Sequence, residues 1–286
     1  MSGRYFDGEA MSMIVNLLDN GPDKMEALEG YIKEADESEN YYYSLLWRYE
    51  YAYQATFYSD PPKAMPVAAE FASIYEAHPS ALGSVRDNGG AESYLMITQM
   101  GIDPVVSLPQ IPMEQWEDMM DKFHALVKRF NIGHRTYWWQ MAQFWQYVDK
   151  EKAHQYFEKF WKTGRDGLSD CRACERCYAV HMSLLVGDRE AADNYAKPLK
   201  AGRVHFCNDA PKIYRWSYLE NALDRGDLKE ASSYASQLNY KLEHRIHDLN
   251  YIGAVIRCFA YTNIEKAIEK FVSGMELVLG LWDQKK

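Results

Sequence analysis

Apolar residues recur along this 286-residue chain at the three- and four-residue intervals of amphipathic helices, without short alternating Val/Ile/Thr runs joined by two-residue glycine turns. The pattern predicts an all-α protein. Four segments repeat one design of helix, tight turn and second helix: VDKEKAHQYFEKFW, GDREAADNYAKPL, GDLKEASSYASQL and TNIEKAIEKFVSG. Each sets a small residue just inside the second helix, at Ala153, Ala192, Ala231 and Ala267, with intervals of 39, 39 and 36 residues. Helical-hairpin repeats of about 34 residues plus a few loop residues have this period. Alanine lets paired helices approach closely, and the residue one turn later (Phe157, Ala196, Ala235, Phe271) is expected to fill the seam. Asp149, Asp188, Asp227 and Asn263 stand where a side-chain oxygen can cap the second helix.

The same scheme extends toward the N-terminus. It predicts a hairpin over Tyr41–Tyr58 and Pro61–His78, with Asp60-Pro61-Pro62 opening the second helix and Ala64 at the equivalent place. An earlier pair covers Gly8–Leu18 and Pro22–Ala35, around the turn Asn20-Gly21-Pro22-Asp23. Between Ser84 and Phe130 the pattern is less regular. It has a turn at Asn88-Gly89-Gly90, a helix over Glu92–Met100, a loop with Pro104, Pro109 and Pro112, and a strong helix over Met113–Phe130. No Ser-, Gly- or Pro-rich linker divides the chain, so it is expected to be one domain, 1–286, with an irregular junction near 81–112.

Composition narrows the classes. With 47% hydrophobic and 14% aromatic residues, the chain can bury enough apolar surface to offset the entropy of ordering. A net charge of -9 argues against a general nucleic-acid surface, which needs concentrated Lys and Arg, and repels anionic membranes. No run nears the ~20 apolar residues of a membrane span, and MSGRYFDGEAMSM lacks the order of a secretory signal, so a cytoplasmic location is expected. Five cysteines, four of them within 37 residues, suit reduced thiols or a metal site better than a disulfide framework.

The hairpins resemble tetratricopeptide repeats, although most lack the small residue inside the first helix and the proline closing the second. The stretch Gly164-Arg165-Asp166-Gly167-Leu168-Ser169-Asp170-Cys171-Arg172-Ala173-Cys174, followed by Gly187-Asp188 and Gly202 to Cys207, is similar to a bacterial repeat-protein group. In that group a motif RD-x-LSDC-x-AC leads into a hairpin and a further Cys precedes the next. The resemblance spans roughly Met113 to Leu281 and implies a right-handed solenoid of antiparallel helical hairpins, without naming an activity. Counted back from the small residues, the concave positions of tetratricopeptide proteins would fall on Tyr49, Tyr53, Arg135, Trp138, Trp145, Cys174, Cys177, His181, Trp216 and Glu220. An aromatic stripe at helical spacing can equally be core.

Cys171-x2-Cys174-x2-Cys177 opens a first helix at i, i+3 spacing, and Cys207 follows Cys171 by 36 residues, about one repeat. In a stacked array the four could meet around a structural zinc, with His205 or His181 in reserve; the alternatives are buried thiols at a tight junction or redox chemistry. Cys258, inside an apolar run, is expected in the core. His134 and Arg135 open a helix, where they are expected to cap it or face solvent. His244-x2-His247-Asp248 has metal-like spacing but lacks the Glu of a zinc peptidase, and reads as a solvated basic helix end. Phosphate loops, nucleophile elbows and dinucleotide fingerprints are missing, so no enzyme is expected. The leading expectation is a scaffold holding a protein or peptide partner in an aromatic groove; the alternative is a metal- or redox-responsive regulator using the Cys cluster.

Overall fold

The computed structural model describes residues 6–83, 90–243 and 248–283. Among them every regular element is helical, as the spacing predicts. The α-helices are α1 Gly8–Leu17, α2 Pro22–Glu37, α3 Tyr41–Tyr58, α4 Ala64–Ala77, α5 Ala91–Ile102, α6 Met113–Phe130, α7 His134–Trp145 and α8 Lys150–Lys162. They continue as α9 Arg172–Leu185, α10 Arg189–Lys200, α11 Ala210–Asp224, α12 Leu228–Asn239, α13 Leu249–Thr262 and α14 Ile264–Asp283. Short 3-10 turns, Pro61–Lys63 and Asp103–Ser107, precede α4 and follow α5. Of the expected Asn88-Gly89-Gly90 turn, Asn88 and Gly89 lie outside the described residues, as do His244 and His247.

The chain divides into two compact units, Met1–Tyr137 with Asp166–Leu168 and Trp138–Arg165 with Ser169–Lys286. In the first, successive helices from α1 to α6 pack as neighbours around Leu28, Leu45, Trp47, Phe71 and Ile97. Gly101 permits the α4–α5 contact, since a Cβ there would meet the Ala68 Cβ at 2.8 Å. Inside α3, Arg48 is buried and reaches Asp36 with both terminal nitrogens, at 3.0 and 2.7 Å, and Glu70 at 3.1 Å. Asp60 opens the following turn with its main-chain carbonyl, which accepts from Lys63 N, rather than with a side-chain cap.

In the second unit α9 pairs with α10, α11 with α12, and α13 with α14; α9 also packs on α11, and α11 on α13. The turns inside these hairpins follow from Gly-Asp. Gly187 and Gly226 take φ of 81° and 72°, which only glycine adopts without strain, and this lets Asp188 N reach Ser183 O and Asp227 N reach Ala222 O. Each Asp then caps the next helix, accepting from Ala191 N and Glu230 N; Asp149 and Asn263 do the same for Lys152 N and Lys266 N. The anticipated seam is buried at Ala153-Phe157-Phe160, Ala192-Ala196-Leu199 and Ala231-Ala235-Leu238, and the same offsets recur in α4 at Ala64-Ala68-Phe71.

α14 departs from this rule. Phe271, expected in the seam, is 53% exposed, on the outward side with Ile268, Val272 and Met275. Here Ala267, Lys270 and Gly274 face inward instead, and a Cβ on Gly274 would meet Ile252 Cγ2 at 3.1 Å. Ala267 and Gly274 keep the first and last places of the seam, and Lys270 takes the middle one in place of Phe271.

The array also buries an ion pair. Lys212 Nζ lies 2.9 Å from Asp248 Oδ1, both side chains being fully buried, and Asp248 Oδ2 accepts from Glu243 N. Asp248 is therefore part of the interior, and the solvated helix end expected there is corrected at this residue.

Candidate functional site

Two helix starts in the second unit place sulfur where oxygen usually caps. Cys171 precedes α9 and its Sγ accepts from Cys174 N at 3.3 Å; Cys207 precedes α11 and its Sγ accepts from Ala210 N at 3.4 Å. At Cys207 the backbone amides of the helix start favour the thiolate form. Because α9 and α11 pack together, Cys174 in the first turn of α9 comes within 3.1 Å of the Cys207 sulfur. The Sγ atoms of Cys171, Cys174 and Cys207 all lie within 4.8 Å of one another; Cys171 is exposed, Cys174 buried and Cys207 half-buried.

Burial pushes the Cys174 thiol far above the usual range, and its sulfur neighbours add to this. Burial also acts to raise Cys207, but the Cys174 thiol and the amides of Ala210 and Asp209 outweigh it and bring Cys207 below its ordinary value. Cys177, one turn further along α9, is buried and gives its S–H to Ala210 O at 3.2 Å. It lies outside the group of three, as do His181 and His205. The RD-x-LSDC segment is fixed by its own polar residues. Arg165 forms an ion pair with Glu175 and donates to Asp170 O at 2.7 Å, while Tyr178 OH donates to Asp170 Oδ2 at 3.0 Å. In the first unit, Asp166 accepts from Gly133 N at 2.7 Å and Leu168 N at 3.1 Å.

A second constellation runs across the first helices. His181 on α9 meets Gln146 Oε1 through Nε2 at 2.7 Å, and its Nδ1 lies 3.3 Å from the Ser217 hydroxyl on α11. The Gln146 amide nitrogen donates to Gln143 O, so its oxygen faces the ring and Nε2 carries the hydrogen. Burial lowers the His181 pKa to about 4, which keeps the ring neutral. Trp216 stacks on His181, with centroids 4.9 Å apart, and meets Tyr251 of α13 edge-on at 6.0 Å. Glu220 on α11 pairs with Arg257 on α13, whose side chain is half exposed. Exposed Gly253 sits one turn before Arg257.

The other expected groove residues make contacts of their own. Trp138 stacks on Tyr156 of α8 and carries Lys159 Nζ 4.7 Å from its centroid; Trp145 carries Lys152 Nζ at 3.1 Å. Both rings therefore dock on their own hairpin partner. Arg135 is 5% exposed, so of the two expectations for it, capping the helix or facing solvent, the second is corrected. Tyr49 and Tyr53 belong to the first unit, half-buried against its core, with Tyr49 OH 3.3 Å from Met96 Sδ. Cys258 is core, as expected. Sequence reading missed Arg257, Ser217 and the Lys212–Asp248 pair, whose partners lie 36 or 37 residues away. Pairing polar residues at the repeat interval was the signal available. No protein-family model matches the chain, and no curated protein matches it. Among the described residues no helix is long and apolar enough to cross a membrane.

Proposed function

We propose that the chain is a scaffold of tetratricopeptide type, a right-handed solenoid of antiparallel hairpins that holds an extended peptide segment of a partner protein across its first helices. One observation carries this reading: α9, α11 and α13 pack side by side, and polar and aromatic residues one repeat apart join across them. His181 meets Gln146 and Ser217 at separations of 35 and 36 residues, and Glu220 meets Arg257 at 37. A face tied at the repeat interval is pre-organised, so a ligand loses little affinity to ordering it. Trp216 offers aromatic area to a ligand, and Arg257 offers donors. A glycine inside a helix costs about 1 kcal/mol relative to alanine, yet a Cβ at Gly253 would touch no neighbour. Its absence leaves room on this face for a ligand backbone.

The test is selection of a displayed random-peptide library on the immobilised full chain, followed by anisotropy titration of the enriched peptide. Trp216→Ala should weaken binding about 30-fold, the scale of an interface anchor, and Arg257→Ala by several-fold, with the helical circular-dichroism signal retained. Trp138→Phe should bind as the parent does. Unchanged affinity in both Trp216→Ala and Arg257→Ala would rule the face out.

A further inference from the structure

We propose that Cys171, Cys174 and Cys207 form a three-thiolate site for a zinc ion that ties the start of α9 to the start of α11. A zinc–sulfur bond of about 2.3 Å sets ligand sulfurs roughly 3.8 Å apart. The three sulfurs already lie within 4.8 Å, so sub-ångström shifts bring them to that spacing, the Cys174–Cys207 pair opening from 3.1 Å. Thiolates select soft ions over magnesium or calcium. The ligands are held by their own backbone, because the first turns of α9 and α11 donate to Cys171 and Cys207. On binding, the thiols give their protons to solvent and three S–Zn bonds replace water on the ion. Cys177 stays with the Ala210 carbonyl, and the exposed side at Cys171 leaves the fourth position to water. The inference is independent of the peptide-binding reading.

The experiment uses the full chain, reduced with a phosphine and stripped with a chelator that is then removed. Zinc is titrated in competition with a chromophoric chelator, and stoichiometry is read by native mass spectrometry. One zinc per chain is expected, with Cys171 and Cys207 protected from alkylation and the melting temperature raised. Cys171→Ser, at an exposed position, and Cys207→Ser should each weaken zinc by at least about 100-fold, since losing a ligand costs more than the roughly 10- to 100-fold of disturbing a ligand's own hydrogen-bond partner. Cys177→Ser should bind as the parent does. The proposal is overturned by a reduced, folded chain that takes up no zinc at excess, by Cu(I) binding where zinc does not, or by a Cys207→Ser variant of parental affinity. Loss of binding in Cys177→Ser would overturn the three-ligand assignment.

Discussion

His181 shows how one side chain reports its surroundings. Its folded pKa of about 4 lies below the ordinary 6.5, so above pH 6.5 neither state carries the proton. Below that, the unfolded chain takes up a proton the fold refuses. Stability falls as pH drops from 6.5 toward 4 and then levels off. With partial solvent contact allowed for, the loss is on the order of 2 kcal/mol. Urea midpoints at pH 7 and 4.5 should therefore differ more in the parent than in His181→Gln. The hairpin turns give a second check at this scale. Gly226→Ala forces a Cβ onto a φ of 72° with no steric neighbour, and should cost about 1 kcal/mol through backbone strain alone. Asp227→Ala should cost about 1 kcal/mol by removing the cap on Glu230 N, read by thermal melting. The caps were legible because Gly-Asp and the amides it serves lie within a few residues. The state of His181 was not, since Gln146 and Ser217 are 35 and 36 positions away.

At the scale of the element, helix bounds followed from periodicity and punctuation. Tyr41–Tyr58 and Met113–Phe130 fall where the pattern sets them, because proline or a capping residue stops each run. The seam was legible in three hairpins and misread in α14, where the inward set Ala267, Lys270 and Gly274 includes a glycine that no apolar-periodicity rule counts. Ala231→Leu should overpack the α11–α12 seam and destabilise by about 1–3 kcal/mol, seen as a lower urea midpoint at unchanged slope. Aromatic helices were the hardest to orient. Periodicity sets Trp138 and Trp145 among the groove candidates, and the lysine from α8 that sits over each ring is a contact that neither helix reveals alone.

At the scale of the whole molecule, the second unit is held by contacts recurring at the repeat interval: Cys174–Cys207 at 33 residues, His181–Ser217 and Lys212–Asp248 at 36. That interval was readable, and it brought the cysteines together; that three and not four converge depends on the Ala210 carbonyl claiming Cys177. The buried pair has a sharp consequence. Asp248→Ala leaves the fully buried Lys212 ammonium only the half-exposed Asp209, 3.1 Å away, and should cost about 3 kcal/mol, the low end for breaking a buried pair, whereas Lys212→Met with Asp248→Leu should recover most of it. Chemical denaturation of the two variants separates these outcomes.

If the aligned first helices form the proposed recognition face, a bound peptide must cover them. Hydrogen exchange with and without a display-selected peptide tests it most directly. Added protection is expected in segments 172–185, 210–224 and 249–262, with 189–200 and 228–239 unchanged. Protection confined to α10 and α12, or to the first unit, would contradict it.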